Sequence, residues 1–270
     1  METFIRPLLF TLALSVLVPF AAAQEPSPKG YEPQVGQVGK DVVWVPMPEE
    51  TVEKMLDLGK VTAADFVVDL GSGDGRTVIA AAKRGAGALG VEFDPRLVAF
   101  SRGKAADAGV AGKAQFVEGD LFKTDLSRAT VITLFLLDDI NRKLRPALLA
   151  LKPGTRVLSN TFRMGDWEPD ASEWYPPGCF NWCALYLWIV PTRVEGAWRA
   201  QTGELTLAQK YQTITGTLAG AVISSGKVIG EEIRFSAGGA EYRGRVSGGA
   251  IEGTVSEGGA VRPWKVARAP

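Results

Sequence analysis

Between the apolar run Phe66-Val67-Val68 and the small-residue stretch Thr77–Ala82 lies Asp69-Leu70-Gly71-Ser72-Gly73-Asp74-Gly75-Arg76. A strand handing over to a helix through such a loop is the opening unit of a parallel, doubly wound sheet. Glycines there let the backbone approach a ligand closely, and the helix N-terminus favours negative charge. A dinucleotide site asks for G-x-G-x-x-G, and this chain departs from it. Gly71 and Gly73 fit, but Arg76 stands where the third glycine belongs, and Gly75 comes one place early. Asp69 and Asp74 would also repel a pyrophosphate.

The stretch after the loop alternates. "FVVDL", "ALGVEF", "AQFVEG", "ATVITLFL" and "KPGTRVLSN" read as strands, separated by the helical patterns "RTVIAAAKRG", "PRLVAFSRGKAADAG" and "DDINRKLRPALLAL", the last with a kink expected at Pro146. "PEETVEKMLDLGKV" precedes them as an amphipathic helix, and "YLWIVP" follows as a sixth strand. Strands alternating with helices give an α/β fold, a doubly wound Rossmann-like sheet covered on both faces. From residue 195 short alternating runs parted by Gly- and Ser-rich turns replace this pattern, which predicts a C-terminal antiparallel β module over 195–270, arranged as a meander. The expected organisation is a leader at 1–23, a Pro/Gly/Gln-rich linker at 24–47, the α/β domain at 48–194 and the β module.

Composition narrows the chemistry. Lys plus Arg equals Asp plus Glu at 30 each, so there is no basic excess to steer the chain to nucleic acid, and no nucleic-acid partner is expected. The chain has no histidine and two cysteines, which removes histidine-based catalysis and cysteine zinc sites; no metal site is expected. Residues 1–23 combine Arg6, the apolar run "LLFTLALSVLVPF" and small residues before Gln24, as in an export signal cleaved after Ala23. The expected location is exported or periplasmic; the alternative is a membrane anchor, with membrane association through that segment.

S-adenosylmethionine explains the acidic loop. It carries no phosphate, and its amino-acid end presents an ammonium beside a cationic sulfonium. Asp69 would take the ammonium, while Gly71, Ser72, Gly73 and Gly75 bring backbone up to the carboxylate and sugar. Glu92, at the end of the second strand, is placed for ribose hydroxyls, with Phe93 for the adenine face. Asp120, after the third strand, is placed for the adenine amino group, with Leu121 beside the ring. Three acids at three successive strand ends form a coherent set.

With these residues in view, the stretch from "VVWVPMP" through "DLGSGDGR", "GVEFDP", "FVEGDLF" and "LKPGTRVLSNTFRMGDW", about residues 40–168, resembles class I S-adenosylmethionine-dependent methyltransferases. Within them it is similar to the branch holding the ATP-synthase c-subunit lysine methyltransferases and their bacterial relatives. The resemblance implies cofactor contact at Asp69, Gly71, Gly73, Glu92 and Asp120, and methyl transfer to an amine, with protein lysine as first acceptor and a small molecule as the alternative. A non-catalytic envelope binding module keeping the fold is the competing reading, since the cofactor is made in the cytosol.

Acceptor groups are expected at the ends of strands four and five. No Asn-Pro-Pro-Tyr, Asp-Pro-Pro-Tyr or Pro-Cys follows strand four, which argues against amide, adenine-amino and cytosine-C5 chemistry. Asp138 and Asp139 either orient an ammonium or cap the next helix. Asn160, Asp166 and Trp167 either line the pocket or anchor a loop. Cys179 and Cys183 are either bridged or packed as thiols. Trp174, Tyr175, Phe180, Trp182, Tyr186 and Trp188 serve either as packing or as a cage for a methylammonium.

Overall fold

The computed structural model describes residues 30–176, 179, 181–200 and 203–269. The expected leader and Phe180 lie outside the described residues.

Helix α1 (Glu49–Leu58) leads into the repeating units β1 (Phe66–Leu70), α2 (Arg76–Lys83), β2 (Gly87–Glu92), α3 (Pro95–Asp107), β3 (Ala114–Glu118), β4 (Val131–Leu134), α4 (Asp138–Leu149) and β5 (Arg156–Asn160). Local chemistry sets the boundaries. Asp94 caps α3 by accepting from the Arg96 amide at 2.8 Å, and Pro95 occupies its first turn, where no amide hydrogen bond is lost. Helix α4 runs through Pro146 as one element. Arg156 of β5 donates to the Gly59 carbonyl beyond α1 and pairs with Asp65 ahead of β1.

The "YLWIVP" strand exists as β7 (Ala184–Ile189), but a further strand, β6 (Ala171–Trp174), precedes it. The seven-stranded order is β3-β2-β1-β4-β5-β7-β6. Strands β1–β5 are parallel, whereas β7 runs antiparallel to β5 and β6 antiparallel to β7. The parallel order stops at that edge, where the β6–β7 hairpin supplies two strands without a helical crossover. Helices α1, α2 and α3 bury Met55, Leu56, Val78, Ala81 and Val98 in one core, and α4 buries Ile140, Leu144 and Leu148 in a second, with Ile132, Trp167 and Trp188. None of the described helices is long and apolar enough to cross a membrane.

The tail comprises β8 (Gly196–Ala200), β9 (Gly203–Lys210), β10 (Thr213–Leu218), β11 (Ala221–Val222), β12 (Ser224–Ile229), β13 (Glu232–Ala237), β14 (Ala240–Ser247), β15 (Ala250–Glu257) and β16 (Ala260–Arg268). Consecutive strands pair antiparallel, apart from the short β11 at the side of β10. Pairing of β16 with β8 and of β9 with β10 closes the meander into an eight-stranded barrel. Alternating residues such as Trp198, Leu205, Leu207, Ile233, Phe235, Ile251 and Trp264 fill its interior, as a barrel of this size requires.

Candidate active site

The chain order reverses between β1 and β4, where a doubly wound sheet opens a crevice at the C-terminal strand ends. Asp69 of β1 lies in register with Thr133 of β4, and the Thr133 hydroxyl donates to its carboxylate at 2.6 Å. Asp69 is only 6% exposed, and no lysine or arginine among the described residues pairs with it. Burial pushes its carboxyl up to about 7; the Thr133 bond opposes the shift, and the nearby Glu92 and Asp74 add to it. Asp74 is different. Burial would raise it, but Arg76 at 2.8 Å and Lys104 at 2.8 Å outweigh burial and hold it below the usual carboxylate range. Of the two loop acids, only Asp69 lacks a cation.

Backbone geometry explains the glycines. Gly71 has φ +77 and a Cβ there would meet the Leu136 side chain at 3.0 Å; Gly73 has φ +53 and a Cβ would strike the Trp44 indole at 2.5 Å. Glu92 accepts from the Gly73 amide at 2.9 Å, from Phe93 at 2.8 Å and from Asp94 at 3.0 Å, so one carboxylate fixes the loop against the end of β2. Asp69, Gly71, Ser72, Gly73, Glu92, Phe93, Asp120 and Leu121 all line one cavity. Gly75 does not line it: with φ +80 it caps α2, and a Cβ there would hit the Phe116 ring and Ser101. This glycine lets the loop pack closely against β3 and α3.

The last part of the expected linker is a wall. Residues 37–47 line the same cavity, anchored where Arg76 donates to the Met47 carbonyl. The Lys40 ammonium lies 3.0 Å from Asp120 and 4.7 Å from the Phe93 ring centroid. That pairing, with the Phe122 amide, keeps the Asp120 carboxyl low. Composition pointed to a linker because Pro, Gly and Gln recur through the segment; the apolar run Val42–Val45 and the buried Met47 were its signal of packing.

On the acceptor side Phe135, Leu136 and Ile140 line the cavity, and sequence reasoning named none of them. Asp138 accepts from the Arg163 amide at 2.6 Å and so ties α4 to the loop after β5 instead of facing the cavity. Asn160 is fully buried, and its amide donates to the Trp182 carbonyl at 3.0 Å. Asp166 is not among the residues lining the cavity: it binds Arg145 at 2.7 Å, Lys210 at 2.9 Å and the Tyr211 hydroxyl at 2.9 Å, joining α4 to the barrel. Those three partners, Lys210 foremost, hold its carboxyl far below the usual range. Trp167 stacks on Tyr211 at the same junction. Cys179 and Cys183 are bridged.

Among the described residues no cluster of acidic side chains or cysteines is arranged for a metal. The cavity suits a ligand with a cationic end: Asp69 lacks a counter-ion, the buried Ser72 hydroxyl has no hydrogen-bond partner, and Gly71 and Gly73 keep Cβ atoms out of its floor. S-adenosylmethionine therefore fits these residues.

A switch-point cleft with an acid at each of three strand ends is a Rossmann-like site suited to a phosphate-free nucleoside. The family model of the ANTKMT methyltransferase domain matches residues 69–171. A protein-lysine N-methyltransferase of Saccharolobus islandicus is 41% identical over 152 residues, 55% of this chain and 94% of that protein. The mouse lysine N-methyltransferase of the ATP-synthase c-subunit is 43% identical over 105 residues, 38% of this chain and 42% of that protein, so less than half its length is spanned. A Salinibacter ruber structure described as an RNA methyltransferase in complex with S-adenosyl-L-homocysteine is 46% identical, with a TM-score of 0.52, and covers 56% of this chain and 96% of its own. The chain belongs to the S-adenosylmethionine-dependent methyltransferases, and S-adenosylmethionine is its cofactor.

Proposed function

We propose that this methyltransferase modifies an amine, and that the amine is the side chain of a protein lysine. The supporting observation is that the Saccharolobus relative, named a protein-lysine N-methyltransferase, aligns at 41% identity over 94% of its length. When bound, the cofactor would supply a methyl carbon made electrophilic by its sulfonium, open to the acceptor's lone pair, with the neutral thioether as leaving group. In this reading Asp69 holds the cofactor ammonium, the N-terminus of α2 faces its carboxylate, Glu92 takes the ribose, and Asp120 and Phe93 take the adenine. The residues serve chiefly to align the acceptor and exclude water. With no histidine in the chain, the ammonium sheds its proton to solvent before it engages, as an amine can and an unactivated hydroxyl cannot.

The test is incubation with methyl-labelled S-adenosylmethionine and host extracts, separated into protein, nucleic acid and small molecules. Label recovered as methyl-lysine supports the reading; label in RNA, as the Salinibacter ruber description would suggest, overturns it. Export through residues 1–23 belongs to the same proposal and is checked by cell fractionation of the full chain.

A further inference from the structure

Three aromatic side chains meet around Phe135, which lines the cavity, and cofactor binding alone gives no reason for the other two. Phe135 follows β4 and lines the cavity. Its ring lies 6.1 Å from Phe162, in the loop after β5, and 6.2 Å edge-on from Trp182, in the β6–β7 hairpin. Packing does not explain Trp182, which is 51% exposed. An exposed indole that is only a spacer would not need to be held, yet this one is held with care.

Trp182 sits at φ +57 and Thr161 at φ +64. Left-handed backbone is costly for bulky and β-branched residues and persists only where the surroundings fix it. They do so here. The Asn160 amide grips the Trp182 carbonyl, and the Thr161 hydroxyl donates to the Asn160 side-chain oxygen at 2.9 Å. The Phe162 carbonyl accepts from Ser159 at 2.7 Å and Asn141 at 3.1 Å. Buried polar groups thus hold the backbone that carries both outer rings.

We propose that Phe135, Phe162 and Trp182 form the acceptor site, an aromatic recess that takes the end of an alkylamine and retains its methylated, cationic form. Ring faces attract ammonium, most strongly when it is desolvated, and methylammonium sheds water more readily than a primary ammonium. The inference rests on the amine-acceptor reading and names the residues that recognise the amine.

The experiment is calorimetric titration of Nε-trimethyl-lysine amide, and of its neutral carbon isostere, into the full chain saturated with S-adenosylhomocysteine. Trp182→Gly is the chosen variant, since glycine adopts φ +57 without strain and folding is spared; Trp182→Phe keeps a ring. The cation is expected to bind wild type more tightly than the isostere, to weaken about tenfold in Trp182→Gly, and to recover in part in Trp182→Phe. S-adenosylhomocysteine affinity should be the same in all three, because Trp182 does not line the cofactor cavity. Equal binding of cation and isostere, or equal affinity in wild type and Trp182→Gly, overturns the inference. Absence of S-adenosylhomocysteine binding in wild type would count against the cofactor assignment instead, and the cation titration, run without it, still decides on the aromatic recess.

Discussion

Thr133 on β4 donates to Asp69 on β1 at 2.6 Å, and that hydroxyl is the sole polar side chain bonded to a buried carboxylate carrying no counter-ion among the described residues. The free protein thus keeps an incomplete electrostatic site at its switch point, which a cationic ligand completes.

With Asp69 holding the cofactor ammonium as proposed, cofactor binding should be pH-dependent. Its folded pKa, about 7, exceeds the ordinary value of 3.8. The protonated acid therefore favours the fold at low pH, and this contribution is lost as pH rises through about 7. Cofactor affinity should rise between about pH 6 and 8, with proton release visible as a buffer-dependent heat. Asp69→Asn should abolish that dependence, weaken binding at least about tenfold and raise the melting temperature of the free protein at about pH 8. Calorimetry and thermal melts check all three, and a flat affinity across this range would refute the role.

Glu92→Ala removes the acceptor for three backbone amides at once. The loop should lose order and cofactor affinity should fall about ten- to a hundredfold, with a stability loss of about 1–3 kcal/mol. Glu92→Gln should recover part of both. Titration and urea denaturation give the two readings.

Lys40 occupies the space between Asp120 and Phe93, so a ring stacking on Phe93 has to displace it. Lys40→Ala should speed cofactor association a few-fold in stopped-flow fluorescence. Slower association would show that Lys40 recruits the ligand.

Asp166→Ala should leave the methyl-transfer rate at saturating substrate unchanged and loosen the barrel. Exposed ion pairs are individually weak, about 0–1 kcal/mol each, and salt screens them. Hydrogen exchange should therefore quicken around Tyr211 and Gln212, and high salt should reproduce this in wild type. A fall in rate with exchange unaltered would return Asp166 to the catalytic set.

The parts legible in the sequence were those dictated by local backbone needs. Gly71 and Gly73 announce positive φ, Asp94-Pro95 announces a helix start, and alternating strands and helices announce the sheet. The rest depended on contacts distant in sequence. Asp166 looked like a pocket acid because its partners Lys210 and Tyr211 come from the barrel, far along the chain, and are invisible locally. Strand β6, "ASEW", is four exposed residues with no apolar alternation to reveal it. Phe135 read as one more strand residue, and the pairing of β9 with β10 beside that of β16 with β8 closes a sheet whose strands could be read singly but not joined.

A cylinder whose first and last staves are bonded has no ragged rim of unpaired amides to recruit neighbours. The Saccharolobus and Salinibacter ruber proteins, matched over 94% and 96% of their own lengths, leave no room for such a unit beside the catalytic sheet. Here it can be carried as a finished cassette, fastened at Asp166 and Trp167 without rebuilding that sheet.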